Sequence, residues 1–432
     1  MKSWWILLLV IASPCIGFAQ DDFDRDPIRY TQSKPDNIVS RLEDRLAKGD
    51  ASLKFEEPWG YLRSVLTELK VPETSQTLVF SKTSLQRHKI SPRTPRAIFF
   101  NDDAYVGYCR NGEVLEISVA DAQLGTVYYT LKQEPDESPE FRRQTDNCLI
   151  CHAGGQARGV PGHLVRSMYV DKSGHPLLAS GSFRIDHTSP LSDRYGGWYV
   201  SGQHGNQKHL GNLTYQGRPD NDAEHDPSGL NLTDLSAKFD RGAYLNGHSD
   251  LVALMILAHQ AGGHNLLTKT AFDVRSALHR EDALNRELKE APDHRWDSTN
   301  TILKNAADSL VKYFLFVNET ALTEPISGST DYAKDFAAAG PRDSLGRSLR
   351  DFDLQTRMFK HPCSYLIETE SFYELPPELR TRFWKRLDEV LRGSDEKEFA
   401  HLTAADRQAI RAILLETHRD VPKEWATVTA AK

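Results

Sequence analysis

Residues 148–152 read Cys-Leu-Ile-Cys-His: two thiols separated by two residues, with a histidine directly after the second. Two thiols at this spacing can add across the two vinyl groups of a haem, and the histidine that follows then places an imidazole under the iron as proximal ligand. A zinc site would want a second Cys or Cys/His pair at short spacing, and the other cysteines beyond the first twenty residues, Cys109 and Cys363, are isolated. A redox dithiol would want a thioredoxin-like βαβ setting, and the flanking pattern offers none. The expectation is therefore one covalent haem c attached at Cys148 and Cys151, with His152 on the iron. The stretch that follows, HAGGQARGVPGHLV, is glycine-rich enough for backbone to wrap the edge of a flat cofactor. Pro161 is placed either to offer its carbonyl to the proximal imidazole or simply to form a turn.

Attachment of this kind takes place outside the cytoplasm, and the N-terminus agrees. MKSWWILLLVIASPCIGFAQ carries one lysine, an apolar run and small residues, the pattern of a signal peptide (1–20) cleaved near Ala19 or Gln20. This predicts an exported protein, periplasmic or extracellular. Cys15, preceded by Pro14, makes a poor lipoprotein site and leaves with the signal. The later apolar run LVALMILA (251–258) is too short to span a bilayer, so no integral membrane segment is expected in the mature chain. With Lys+Arg 53 against Asp+Glu 60 the chain is mildly acidic, which argues against nucleic acid as a partner. Outside the signal, Cys109 and Cys363 are read equally as a disulfide favoured by export or as two small buried side chains.

The pattern predicts an α+β fold with short N-terminal helices, small β regions flanking the haem loop and a helical C-terminal half. Helical spacing occurs at 36–48 and 59–70. Between 77 and 133 come β-rich runs (TLVF, AIFF, AYVGYC, VLEISV, GTVYYTL), and beyond the motif LVRSMYV, LLASGSFRI and GGWYVSG. Helices are expected near 249–261, 265–290, 297–317, 376–393 and 403–418. This divides the chain into an α+β haem-attachment region (21–204), a His/Gly/Asn-rich loop (205–250) and a helical region (251–432).

For the sixth position on the iron the sequence offers candidates without geometry. His259 stands in an apolar helix, His204 and His209 lie in SGQHGNQKHLGN, and Met168 sits in a strand-like run. A histidine or methionine in such settings is more often a packed core residue than a ligand, so the order His259, His204, His209, Met168 rests on local context alone. His163, His175, His187, His225, His248 and His264 also follow the motif.

The Cys148–His152 motif resembles that of the c-type cytochromes, which implies covalent haem and iron bound by His152. Strand-like runs flank the motif and more than 300 residues lie outside any ordinary cytochrome core, so the small cytochrome fold is not expected. FNDDAYVGYC, FRIDHTSP, GGWYVSGQHG, SDLVALMILAHQ and RDFDLQTRMFKHPCSYLI are similar to a mostly uncharacterised family of large, exported, single-haem bacterial proteins. Two functions follow. The first is electron transfer between the haem and a redox partner protein or a small-molecule oxidant or reductant. The second is a haem enzyme of peroxidase or oxidase type with an open or displaceable sixth position, for which the surplus of mass and histidine would supply a pocket. No G-x-S-x-G, H-E-x-x-H or Walker loop offers other chemistry.

Overall fold

The computed structural model describes residues 22–217, 226–395 and 397–427; the expected signal peptide, Cys15 and His225 lie outside them. The fold is α+β with a helical C-terminal half. Helix α1 (Ile38–Lys48) starts at Asn37, whose side chain accepts the Val39 and Ser40 amides while Ser40 returns the bond, and it stops at Gly49, φ 77°. Helix α2 (Leu62–Glu68) follows.

Strands β1 (Thr77–Val79), β2 (Arg96–Phe100), β3 (Ala104–Tyr108), β4 (Val114–Asp121), β5 (Gly125–Lys132) and β6 (Phe141–Gln144) form an antiparallel meander in which each pairs with the next. In β4 the period of two is plain: Leu115, Ile117 and Val119 are buried and Glu116, Ser118 and Ala120 only partly so. The buried set packs with Val39, Leu42, Leu62 and Val65 of the two helices. On the opposite face the register sets Ser118 between Tyr105 and Tyr128, and Glu116 between Gly107 and Thr130. Strand β6 (Phe-Arg-Arg-Gln) has one apolar residue in four, which is why no alternation announces it in the sequence.

The single turn α3 (Leu149–His152) comes next, then the hairpin β7 (Arg166–Met168) and β8 (Ser182–Arg184), and β9 (Gly202–Gln203). Helix α4 (Leu251–Leu288) runs 38 residues. The sequence predicts two helices here, interrupted at Gly262-Gly263, yet the helix continues through them. A Cβ on Gly262 would lie 2.3 Å from the Tyr313 hydroxyl and one on Gly263 2.2 Å from Leu366 Cδ1, so the glycines serve close packing and not a break. Helix α5 (Asp297–Phe314), β10 (Ser327–Gly328, paired with β9), α6 (Tyr332–Ala338), α7 (Glu370–Tyr373), α8 (Pro377–Leu391), α9 (Ala404–Thr417) and α10 (Glu424–Thr427) complete the chain. Among the described residues no helix is long and apolar enough to cross a membrane. Cys109 and Cys363 are both buried and unpaired, Cys363 within the helical core, so of the two readings the structure takes the small buried side chain.

Candidate haem site

In α3 the His152 amide donates to the Cys148 carbonyl at 2.9 Å, closing one helical turn. Positions i, i+3 and i+4 of such a turn share a face, which brings Cys148, Cys151 and His152 together. Leu149 turns the other way and is buried in the sheet core. Cys148 is half-buried and Cys151 exposed, neither in a disulfide, and Ile150 between them is 79% exposed. Burial pushes the Cys148 thiol up to about 11, so it stays protonated at neutral pH.

His152 Nδ1 lies 3.0 Å from the Gly162 carbonyl oxygen. A carbonyl only accepts, so the ring proton sits on Nδ1 and the Nε2 lone pair is left for a metal. Burial lowers the pKa of the ring and the bond to Gly162 offsets this only in part, which keeps the imidazole neutral at pH 7. The same carbonyl accepts a second bond from the Tyr128 hydroxyl at 2.7 Å. The acceptor is thus one residue beyond Pro161, whose own carbonyl takes the Thr126 amide at 3.1 Å. The register is fixed from α4: the Asn265 side chain accepts the His163 amide and donates to the His163 carbonyl, both at 2.7 Å. A Cβ on residue 162 would stand 2.4 Å from Asn265 Oδ1, so only glycine lets this clamp close.

An ion pair between Arg96 and Glu116, 2.8 Å apart, completes the surroundings; the charges of both residues act on Cys148 and on His152. Arg96 extends over Gly107, where a Cβ would come within 2.2 Å of its Nη2. Beyond the loop, Arg158 lines a cleft of about 750 Å³ between α4 and α5 that also contains Lys269, Thr270, Arg280 and Asn305. Tyr128, Asn265, Gly162, Arg96 and Glu116 were not singled out from the sequence. They lie on a sheet, a loop and a distant helix, and only the fold brings them to the motif.

The two thiols and a neutral imidazole with Nε2 free are the donor set that a covalently attached haem requires. Among the described residues no group of three or more His, Cys, Asp or Glu is arranged to hold a metal ion by side chains alone.

None of the sixth-ligand candidates is brought to the motif by a hydrogen bond or ring contact. His259 is fully buried with both nitrogens engaged, Nδ1 with His187 Nδ1 at 2.9 Å and Nε2 with Ser364 Oγ at 2.8 Å. His204 Nε2 accepts the Asn231 amide at 3.1 Å and His209 Nδ1 the Gly211 amide at 3.0 Å, and the two rings pack 4.8 Å apart. Met168 is 2% exposed and fills the sheet core. His163, which follows directly on Gly162 and feels the charge of His152, has a buried Nε2 with no hydrogen-bond partner and a ring 4.0 Å from that of Tyr105 and 5.7 Å from that of His264. Comparison with protein-family models, curated proteins and solved structures gives no match to this chain.

Proposed function

We propose that this is an exported c-type haem protein that carries electrons, with thioether links at Cys148 and Cys151 and His152 as proximal ligand. The observation that carries the reading is the bond from His152 Nδ1 to the Gly162 carbonyl. It fixes the tautomer, aims the ring and leaves the Nε2 lone pair for the iron on a turn that presents two thiols on the same face. Bound haem would supply a one-electron couple at iron. The chain's part is to hold the ligand neutral by burial, to steady it through Gly162 and Asn265, and to keep the exposed Cys151–Ile150 edge within reach of a redox partner protein or a small-molecule oxidant or reductant.

A second reading, a peroxidase-like haem enzyme, is favoured by the cleft of about 750 Å³ beside Arg158, which a carrier does not need. An optical spectrum of the exported protein, ferric and then dithionite-reduced, followed by carbon monoxide, separates the two. A c-type reduced spectrum unaffected by carbon monoxide is the result expected of the carrier. Rapid carbon monoxide binding would move the assignment to the enzyme, and a protein without covalent haem would overturn both.

A further inference from the structure

The β7–β8 register sets Arg166 directly opposite Arg184, two guanidinium side chains on one face of a two-stranded hairpin. Like charges so placed destabilise a strand pair unless something neutralises them. Arg184 reaches towards the haem loop, with Nη1 3.4 Å from the Gln156 carbonyl, two residues before Arg158. Arg158 is held in the left-handed region, φ 65°, and its buried Nε has no hydrogen-bond partner. Burial, and after it the charge of Arg184, lowers the Arg158 pKa, so the two cations are close enough to disfavour each other. Among the described residues none of the three forms an ion pair. Arg166 spends Nε and Nη2 on the Ser182 hydroxyl at 2.9 and 2.7 Å, a neutral acceptor. The nearby Asp186 commits Oδ1 to the amide and hydroxyl of Thr188, and its charge offsets part of the repulsion felt by Arg158 without forming an ion pair.

We infer that Arg158, Arg166 and Arg184 form a carboxylate-binding site beside the haem loop. Three guanidiniums without a close ion pair among the described residues, one of them with an unused buried N–H, match the planar acceptor geometry of carboxylates. Of the three only Arg158 also lines the cleft between α4 and α5, where Asp26 and Asp273 stand beside Lys269 and Arg280, so the carboxylates are placed on the hairpin side of Arg158. Two sources share this chemistry: the propionates of the haem itself, which rests on the function proposed above, and a free dicarboxylate, which does not.

The test uses the exported protein as produced and the double variant R158Q/R184Q, both positions being partly or fully exposed. Succinate is titrated by calorimetry, and the haem midpoint potential is measured from pH 5 to 7. Succinate binding that weakens tenfold or more in the variant assigns the site to a free carboxylate. No succinate binding, together with a pH-dependent potential in the variant that the wild type lacks, assigns it to propionates that have lost their cations and titrate. If succinate ignores the wild type and the variant's potential follows the wild type's pH profile, the site is overturned. A protein without covalent haem would fail the proposed function, while the succinate arm would still decide the site.

Discussion

The Gly162 carbonyl accepts from both His152 Nδ1 and the Tyr128 hydroxyl, so the two donors compete for one oxygen. Replacing Tyr128 by Phe leaves that oxygen to the imidazole alone, which strengthens the bond, makes Nε2 more basic and, with haem bound as proposed, would favour ferric iron. The expected result for Tyr128→Phe is a lower midpoint potential by redox titration, and a stability loss of about 1 kcal/mol by urea unfolding. An unchanged potential would show that the tyrosine only packs. His259 is the converse case. Both of its nitrogens are bonded, so His259→Ala should leave the haem spectrum unchanged while costing about 3 kcal/mol for the cavity and for the stranded Ser364 and His187 partners. A changed spectrum would restore it as sixth ligand. At this scale the grouping of Cys148, Cys151 and His152 on one turn was legible because the three lie within five residues. The acceptor is Gly162, one residue beyond Pro161, for which the sequence left a carbonyl to the imidazole and a simple turn equally open; backbone geometry decides which carbonyl faces the ring. Asn265 was invisible because nothing in its own neighbourhood marks it.

At the scale of elements, α4 organises the molecule. Its cap, Asp250, is fully buried and accepts from the Val252 and Ala253 amides at one end and from the Ser329 and Thr330 amides at the other, tying the start of the helix to β10. Asp250→Ala removes an N-cap and strands three further part-buried donors, the Ser329 and Thr330 amides and the Thr330 hydroxyl, so the expected loss is about 2–4 kcal/mol by urea unfolding, well beyond an exposed cap. A loss under about 1 kcal/mol would mean that water replaces the carboxylate. The helix was only half legible. The sequence pattern gives two helices, 249–261 and 265–290, with Gly262-Gly263 in the gap, where the low helix propensity of glycine favours an interruption. The approach of Tyr313 and Leu366 overrides that preference, and neither neighbour can be inferred from the sequence next to the glycines. The first five strands were legible for the opposite reason, their runs of Val, Phe, Tyr and Thr; only β4 alternates throughout, because β1, β3 and nearly all of β5 are buried on both faces.

Across the whole molecule, the sheet and α4 enclose imidazoles that burial keeps neutral. His264 is held down to about 4 by burial, with the neighbouring Asp102 offsetting only part of it, against about 6.5 in an unfolded chain. It packs edge-on to Tyr105 and beside His163, whose pKa is also lowered, first by burial and then by the charge of His264. Lowered folded-state values mean that the unfolded chain takes up protons first as pH falls. The stability attached to these groups is therefore complete above pH 6.5 and is lost as pH drops from 6.5 towards 4. For His264 alone the shift corresponds to a loss on the order of 3 kcal/mol over that window. His264→Phe keeps a ring against Tyr105 and removes the proton uptake, so urea unfolding at pH 7 and pH 4.5 should show a smaller drop in the variant than in the wild type. Equal drops would mean that His264 is protonated within the fold. Because His163 follows directly on Gly162, whose carbonyl holds His152, the acid loss should also reach the ligand loop. The wild-type haem spectrum should then change within the same pH window, and that change should be smaller in His264→Phe.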